Sequence, residues 1–320
     1  MPFPPDFLTR LSRMDWSLLF TQLLNGLQLG LLLFLLASGL TLIFGIMDFI
    51  NLSHGSFYMI GAYFCGTVVA KTGSFLLGVL FGLIGVFAVG ALVEWLVARK
   101  LYRSDHLDHV LVTFGLILIF DTLVHLIWGA EGMAIPLPDI LNGQIEIGAL
   151  VLPTYRLLII ACGLLVAGLL YLLVVRTRLG MLIRAGASNR TMVEALGVDI
   201  NRLFLIVFAL GAAMAGFAGM LIAPITEASI GMGNDIIIVA FVVVIVGGIG
   251  SVKGAFYAAM ILGLIDTLSR SYLDVLLELA MPVTYAETAA PAISAMLIYI
   301  LMAAVLAFRP QGLFPPAGVK

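Results

Sequence analysis

The stretch Phe-Gly-Ile-Met-Asp-Phe-Ile-Asn-Leu-Ser-His-Gly-Ser-Phe-Tyr-Met-Ile-Gly-Ala-Tyr, residues 44–63, decides the fold. It lies between two strongly apolar segments but places four polar residues within seven positions, Asp48, Asn51, Ser53 and His54. An unsatisfied polar group in hydrocarbon costs several kcal/mol, so these side chains must face protein or water rather than lipid. The stretch therefore predicts a broken helix near residues 45–55, the device with which membrane transporters build a solute pathway. An ordinary tight turn between two spans is the alternative.

The composition of the whole chain indicates a bundle of membrane-spanning helices. Of the 320 residues, 62% are hydrophobic and only 11% are charged, which exceeds the apolar content that a soluble domain of this size needs. Apolar segments near the length of a helical span cover residues 16–45, 55–71, 75–98, 109–128, 156–175, 203–224, 236–250, 254–273 and 291–308. We therefore predict an all-α integral membrane protein with about eight or nine transmembrane helices, forming a single domain over residues 1–320.

The distribution of lysine and arginine predicts which loops face the cytoplasm. The loop 176–202 is the most basic and is placed inside because it carries Arg176, Arg178, Arg184, Arg190 and Arg202. The loop 129–155 then faces outward, without any Lys or Arg and with the carboxylates of Glu131, Asp139 and Glu146.

The outer loop contains a candidate β-hairpin. Residues 140–147 alternate in hydrophobicity around Asn142-Gly143, the dipeptide preferred in two-residue hairpin turns. A small hairpin with its turn at this dipeptide is predicted, and an irregular loop is the alternative.

The inner loop contains a candidate short helix. Residues 188–196 have helical composition, with Ser188 or Asn189 as the N-cap and Gly197 as the stop. Such a helix between two spans offers Met192 and Leu196 to a partner protein. A solvated connector is the alternative.

A second glycine-rich break is predicted near residues 247–254, with the sequence Gly-Gly-Ile-Gly-Ser-Val-Lys-Gly. Here residues 253–257, Lys-Gly-Ala-Phe-Tyr, match residues 54–58, His-Gly-Ser-Phe-Tyr, in pattern. Corresponding breaks in two halves of a chain are typical of internally repeated transporters. The match predicts that the two breaks converge on one axis if they lie at the same depth.

The sequence lacks the motifs of an enzyme. No ATP-binding loop is present, since Val252 stands where the glycine before the lysine is required. The histidines and cysteines show no zinc-ligand spacing, so no metal is predicted. Asp121 and His125 share one helix face and form either a proton relay or a structural pair. We predict a protein without catalytic residues.

Several stretches occur together in an order that resembles one known family. They are Gln28-Leu-Gly30 through Leu40-Thr-Leu-Ile-Phe-Gly-Ile-Met47, Ile50 through Tyr63, Arg184-Ala185, Ala195-Leu-Gly-Val-Asp199, Gly216-Phe-Ala-Gly219, Val246 through Ala255, and Phe308 through Phe314. Over residues 20–314 the chain resembles the branched-chain amino acid ABC transporter permeases, and most of all their shorter, LivH-type subunit.

The resemblance implies a single transmembrane permease domain in a bacterial inner membrane. Its implied partners are a homologous LivM-type permease, two cytoplasmic ATPase subunits, a periplasmic solute-binding protein and the lipid bilayer, with no nucleic acid. ATP and Mg are expected on the ATPase subunits, and no cofactor is expected on this chain.

Two groups of candidate functional residues follow. The substrate pathway is predicted at Asp48, Asn51, Ser53, His54, Ser56, Tyr58 and Lys253, with the side chains of residues 51, 53 and 54 facing the partner permease. The resemblance implies that the short helix is the coupling helix that contacts an ATPase subunit, and its candidate residues are Arg190, Met192, Val193, Glu194 and Leu196. The three apolar ones are expected to enter a groove of the ATPase, with Arg190 and Glu194 at its rim.

The expected cargo is a branched-chain or other hydrophobic amino acid. Ser56 stands where many relatives carry an acidic residue, and Leu52-Ser53 replaces their common Phe-Ala, so the substrate remains open to alternatives. Urea, short amides and aromatic or dicarboxylic acids are the alternatives within the family. A proton-coupled secondary transporter that uses Asp121 and His125 is the alternative of another class.

Overall fold

A computed structural model describes residues 16–147, 150–278 and 281–314 of the chain. The described residues are predominantly helical. In chain order the helices are α1 (Trp16–Met47), α2 (His54–Thr72), α3 (Phe75–Val93, continued by a π-helical turn, Glu94–Ala98, and by Arg99–Leu101), α4 (His106–Trp128), α5 (Thr154–Arg176), α6 (Arg178–Ser188), α7 (Arg190–Ala195), α8 (Ile200–Thr226), α9 (Met232–Gly247), α10 (Val252–Leu277) and α11 (Val283–Phe308). The prediction of an all-α membrane protein is confirmed.

Within the part of the chain that the structure describes, seven helices are long and apolar enough to cross a membrane, namely α1, α3, α4, α5, α8, α10 and α11. Helix α1 is the centre of the bundle, since 83% of its apolar window is buried inside the protein, whereas the value for α11 is 11%. The apolar outer faces of the peripheral helices therefore suit lipid, while α1 contacts protein. Helix α9 is apolar but shorter.

A two-stranded antiparallel sheet forms in the outer loop, between β1 (Gln144–Ile147) and β2 (Leu150–Pro153). Gln144 pairs with Pro153 and Ile147 pairs with Leu150, so the strands connect through residues 148–149, which lie outside the described residues. The predicted turn at Asn142-Gly143 is wrong, because these residues precede β1 and follow a 3₁₀ turn at Asp139–Leu141. The hairpin exists, but its turn lies further along the chain.

Glycine contacts bring the central helices together. A Cβ atom on Gly219 of α8 would collide with the Tyr58 carbonyl oxygen of α2, and one on Gly61 of α2 would meet the backbone of Gly216 at 2.5 Å. Between α1 and α10, a Cβ on Gly30 would lie 2.9 Å from the Ala259 carbonyl oxygen. Small residues allow this backbone approach, which is the usual source of helix association in membranes.

Two interruptions of opposite direction meet inside the bundle. Residues 48–53 separate α1 from α2, and residues 227–231 separate α8 from α9. Each interruption begins with an acidic residue in the left-handed backbone region, Asp48 (φ 52°) or Glu227 (φ 64°), and these are the non-glycine residues with positive φ within the described ranges. The first turns of α2 and α9 touch, because a Cβ on Gly55 would collide with the Gly233 carbonyl group.

Contacts show that α2 and α9 both begin within the thickness of the bundle. His54, at the start of α2, contacts the carbonyl oxygen of Leu36, about 16 Å along α1 from Met47 at the rise of an α-helix. Asn234, at the start of α9, binds Asp121, about 10 Å along α4 from Trp128. Helices α2 and α9 thus both begin midway through the bundle, run in opposite directions, and have their N-termini next to each other.

The break at residues 248–251 occupies a different place from the one that its sequence pattern predicts. It lies beside the end of α1, where a Cβ on Gly45 would be 2.9 Å from Gly250 Cα. The expected equivalence of residues 253–257 with residues 54–58 is wrong, because residues 227–231 form the spatial counterpart of the first interruption. The second break instead packs against the C-terminal segment 309–314.

The C-terminal segment 309–314 is tied to the end of α9. The amides of Leu313 and Phe314 donate to the carbonyl oxygens of Val246 and Gly247 at 2.8 and 3.1 Å. These carbonyls belong to the last turn of α9, which lacks intrahelical donors. The segment therefore replaces the hydrogen bonds that the helix end would otherwise leave unmade.

Candidate functional site

Four of the predicted pathway residues form a buried polar cluster at the start of α2. Asn51, Ser53 and His54 are 0% exposed and Ser56 is 2% exposed. The Ser53 hydroxyl donates to Asn51 Oδ1 at 2.7 Å, and His54 Nε2 donates to the Leu36 carbonyl oxygen at 3.1 Å. Asn51 Nδ2, His54 Nδ1 and Ser56 Oγ have no hydrogen-bond partner among the described residues.

This cluster contacts the chain itself and not its surroundings. The prediction that residues 51, 53 and 54 face a partner permease is contradicted, because their side chains are enclosed by this chain. Tyr58 is likewise 7% exposed and lies where α2 crosses Gly219. These polar side chains therefore avoid hydrocarbon because this chain encloses them, and not because a second subunit covers them.

The other two predicted pathway residues, Asp48 and Lys253, share a large cavity. The cavity measures about 1380 Å³ and lies between α1, α5, α6 and the start of α10. Its lining also includes Phe34, Thr41, Tyr171, Arg184, Phe256 and Phe314. Phe34 lies about 20 Å along α1 from Met47, so the cavity extends from the end of α1 deep into the bundle.

The cavity combines apolar walls with charges of both signs. Lys253 Nζ lies 5.9 Å from the centre of the Tyr171 ring, and the Arg184 guanidinium donates to the Val174 carbonyl oxygen. The Asp48 side chain is 73% exposed, and its Oδ2 lies 3.8 Å from His106 Nε2. This arrangement can hold an amphipathic zwitterion.

The lining residues of α1, α5 and α6 were missed as site residues from the sequence. Tyr171 and Phe34 lie in long apolar runs, where nothing distinguishes a cavity wall from a lipid-facing side chain. Arg184 was assigned to a basic loop. A signal was available in the combination of Asp48 and Lys253, each of which sits where a helix is interrupted.

The predicted coupling helix is present as α7. The Asn189 side chain caps it by accepting from the Met192 amide at 2.9 Å, and Gly197 (φ 86°) follows its end. Met192 is 58% exposed and Leu196 is 76% exposed, so both are available to another protein.

The remaining candidates of α7 face different environments. Val193 is 6% exposed and belongs to this chain's core, so it cannot enter a groove of a partner. Arg190 lies with its guanidinium carbon 4.6 Å from the centre of the Phe204 ring and anchors the helix instead of forming a rim. Glu194 is exposed, as expected for a rim residue.

Asp121 and His125 do not form the predicted pair among the described contacts. Asp121 Oδ2 accepts from Asn234 Nδ2 at 3.1 Å, and the His125 side chain is exposed. The carboxylate therefore joins α4 to the first turn of α9.

Known proteins are similar in sequence to this chain over most of its length. A family model described as "Branched-chain amino acid transport system / permease component" matches residues 22–306. The high-affinity branched-chain amino acid transport system permease protein LivH of Escherichia coli (strain K12) is 31% identical over 274 residues, 79% of this chain and 86% of LivH. No solved structure matches the chain.

Two further relatives carry related descriptions. The permease protein BraD of Pseudomonas aeruginosa, of a high-affinity branched-chain amino acid transport system, is 31% identical over 77% of this chain and 84% of BraD. The probable branched-chain amino acid transport permease protein LivM of Methanocaldococcus jannaschii is 28% identical over 86% of this chain and 79% of LivM. Given the family match and the similarity to LivH, the chain belongs to the branched-chain amino acid ABC transporter permease family, as a LivH-type, multi-pass membrane member.

Proposed function

We propose that the chain is a permease subunit of an ATP-driven importer of branched-chain or other hydrophobic amino acids. It forms the solute pathway together with a homologous, LivM-type permease in a bacterial inner membrane. Two cytoplasmic ATPase subunits bind ATP and Mg, and a periplasmic binding protein delivers the amino acid.

The cavity between α1, α5 and α10 carries this proposal. Its charged groups, Asp48 and Lys253, cannot face hydrocarbon without a cost of several kcal/mol. A cavity that carries charges beside the end of α1 and extends along that helix to Phe34 suits an aqueous path closed by a second subunit. Its size and its mixture of aromatic and charged walls fit an amino acid with an apolar side chain.

The exposed side chains on the two faces of the bundle support the remaining partners. Met192 and Leu196 present an apolar surface on the basic side, where an ATPase binds. Glu131, Asp139 and Glu146 are exposed on the other side and suit a basic face of a binding protein.

Reconstitution of the importer with all five proposed subunits in proteoliposomes tests the proposal. ATP-dependent uptake of leucine is expected, with Lys253→Gln raising the apparent KM for leucine because a cation that attracts the carboxylate is removed. A hydrogen bond to a charged group contributes about 1.5–3 kcal/mol, which corresponds to a rise in KM of about tenfold to hundredfold.

Lys100→Gln is the matched control, because Lys100 is an exposed lysine on the same side of the bundle but outside the cavity. Equal effects of the two substitutions would contradict the assignment of the cavity. Competition by urea, short amides or aromatic acids, measured in the same vesicles, identifies a different cargo. Uptake driven by a proton gradient without ATP would overturn the importer itself.

A further inference from the structure

Arg190 fixes α7 against two aromatic rings elsewhere in the chain. Its guanidinium carbon lies 4.6 Å from the centre of the Phe204 ring on α8 and 5.7 Å from that of Tyr102, which follows α3. Cation–π contacts of this kind attach an otherwise marginal short helix to the bundle. Any displacement of α7 by a partner protein therefore acts first on these two rings.

Tyr102 is held in place by a buried acid. Glu94 is 0% exposed and accepts hydrogen bonds from the Tyr102 hydroxyl at 3.0 Å and from the Arg99 guanidinium at 2.8 and 3.2 Å. Burial, and then the adjacent Glu94 carboxylate, raises the pKa of the Tyr102 phenol, so the hydroxyl stays a donor. Glu94 also opens the π-helical turn of α3, a local deviation that is frequent at functional positions.

A continuous series of rings leads from Tyr102 to α2. We call Tyr102, Phe204, Phe49, Phe208 and Phe57 the aromatic cluster. The Tyr102 and Phe49 ring centres are 6.0 Å apart, those of Phe49 and Phe208 6.3 Å, and those of Phe208 and Phe57 6.0 Å. Phe57 lies in the first turn of α2, and its ring centre is 6.2 Å from that of His54.

Phe49 is the member that belongs to the first interruption. Its ring is 1% exposed and also lies 4.6 Å from the His109 ring of α4. Three residues later, the Leu52 amide donates to Thr113 Oγ1 of α4 at 3.2 Å. A tightly packed ring between two helices cannot yield continuously, so a shift of Tyr102 must move the interruption or be resisted by it.

We propose that the aromatic cluster transmits the position of α7 to the junction where α2 and α9 meet, with Glu94 holding Tyr102 in the transmitting orientation. The proposal rests on the coupling role of α7 proposed above. Tyr102 and Phe49 are positioning residues in this scheme. They act on residues 48–53, which border the cavity through Asp48, and they contact no cargo.

The first test measures leucine uptake per ATP hydrolysed in the reconstituted importer. Tyr102→Leu, Phe49→Leu and Arg190→Ala should each lower this ratio by about threefold to thirtyfold while ATP hydrolysis and recovery of the complex persist. Tyr102→Phe, which keeps the ring but loses the bond to Glu94, should have a smaller effect. Phe114→Leu is the control, since Phe114 is 52% exposed on α4 and outside the cluster.

A double variant tests whether the residues act as one unit. Arg190→Ala combined with Tyr102→Leu should lower the ratio no further than the stronger single substitution, because both interrupt the same series of contacts. Losses that multiply, or single variants that match Phe114→Leu, would overturn the proposal. If the Tyr102→Leu complex cannot be purified, Phe49→Leu, which keeps an apolar side chain, takes its place in the double variant.

A second test does not depend on the identity of the cargo. Val175 lines the cavity and is 40% exposed, so Val175→Cys in a background with Cys65 and Cys162 replaced by Ala reports cavity accessibility through maleimide labelling. ATP should change the labelling rate in the otherwise unchanged complex, and Tyr102→Leu should abolish that change. A wrong cargo would remove leucine uptake but leave the nucleotide-dependent labelling, whereas a labelling change that survives Tyr102→Leu would refute the transmission.

Discussion

At the residue scale, Gly219 determines how closely α8 and α2 pack. A methyl group there would collide with the Tyr58 carbonyl oxygen, which is backbone and cannot rotate away. Gly219→Ala should therefore destabilise the protein by about 1–3 kcal/mol, the usual cost of overpacking, and lower the melting temperature in detergent.

Gly168→Ala is the matched control for this substitution. Gly168 lies within α5, and a Cβ there would have no atom within 4 Å. Because alanine is the better helix former, this variant should be as stable as the parent or more stable by up to about 1 kcal/mol. A melting temperature that falls equally in both variants would contradict the packing argument.

Ser53 and Ser56 are both buried, but only the Ser53 hydroxyl makes a hydrogen bond among the described residues. Ser53→Ala removes the bond to Asn51 Oδ1 and should cost about 0.5–1.5 kcal/mol of unfolding free energy. Ser56→Ala removes a buried hydroxyl without a partner among the described residues, so stability should be unchanged or increased. Thermal unfolding of the two variants in detergent compares them, and the reverse order of stabilities would refute the assignment.

At the element scale, α7 is held by this chain on one face and exposes the other. Leu196 is 76% exposed, so Leu196→Asp should leave the melting temperature of the isolated permease unchanged. Co-purification with the ATPase subunit should fall, since burial of a leucine contributes about 1.5–3 kcal/mol and a charge adds a penalty. Leu107→Asp tests whether the ATPase instead contacts residues 99–108, between α3 and α4, because Leu107 is also 76% exposed. If only Leu107→Asp released the ATPase, the coupling contact would lie between α3 and α4.

The outer loop presents carboxylates at its 3₁₀ turn and its hairpin, Asp139 and Glu146, in addition to Glu131. Replacing the three by Asn or Gln should slow association of the binding protein at low salt, because exposed charges steer encounter over about 10 Å at 0.1 M salt. At high salt the parent and the variant should associate at similar rates. Surface plasmon resonance on the permease in nanodiscs measures this, and an equal salt dependence of both would exclude the loop.

The sequence predicts elements better than it predicts their partners. The limits of α7 follow from Asn189 and Gly197, because caps act within a few residues. The hairpin turn was misplaced because alternation around Asn142-Gly143 satisfies the same local preference as the pairing of residues 144–147 with 150–153. Local patterns cannot choose between registers that differ in their tertiary contacts.

At the scale of the whole molecule, the all-α bundle follows from composition alone, but the meeting of α2 and α9 does not. A five-residue pattern at 253–257 pointed to the wrong counterpart of the first interruption. The true counterpart, 227–231, shares with it an acidic residue directly after a long apolar helix, Asp48 or Glu227, both with positive φ. The acidic residue after an apolar run is visible in the sequence, but its left-handed backbone conformation is visible only in the structure.

The predicted pathway residues lie in two different environments, the protein interior and the cavity. Asn51, Ser53 and His54 had to avoid lipid, and both a water-filled cavity and a protein interior satisfy that demand. His54 finds its partner at Leu36, on the preceding helix, and hydropathy contains no information about this contact. Asp48 and Lys253 are charged, and placing a charged group at the cavity costs less free energy than burying it in the protein interior.

The segment 309–314 has a consequence for the order in which the protein matures. Its amides complete the end of α9 at Val246 and Gly247, and the Phe314 ring lies 5.1 Å from Tyr257 at the wall of the cavity. These residues leave the ribosome only after every helix of the bundle has been synthesised. The cavity therefore cannot close at this end while translation of α11 is under way, and a nascent chain that has already inserted its helices still has an unfinished opening beside the end of α9.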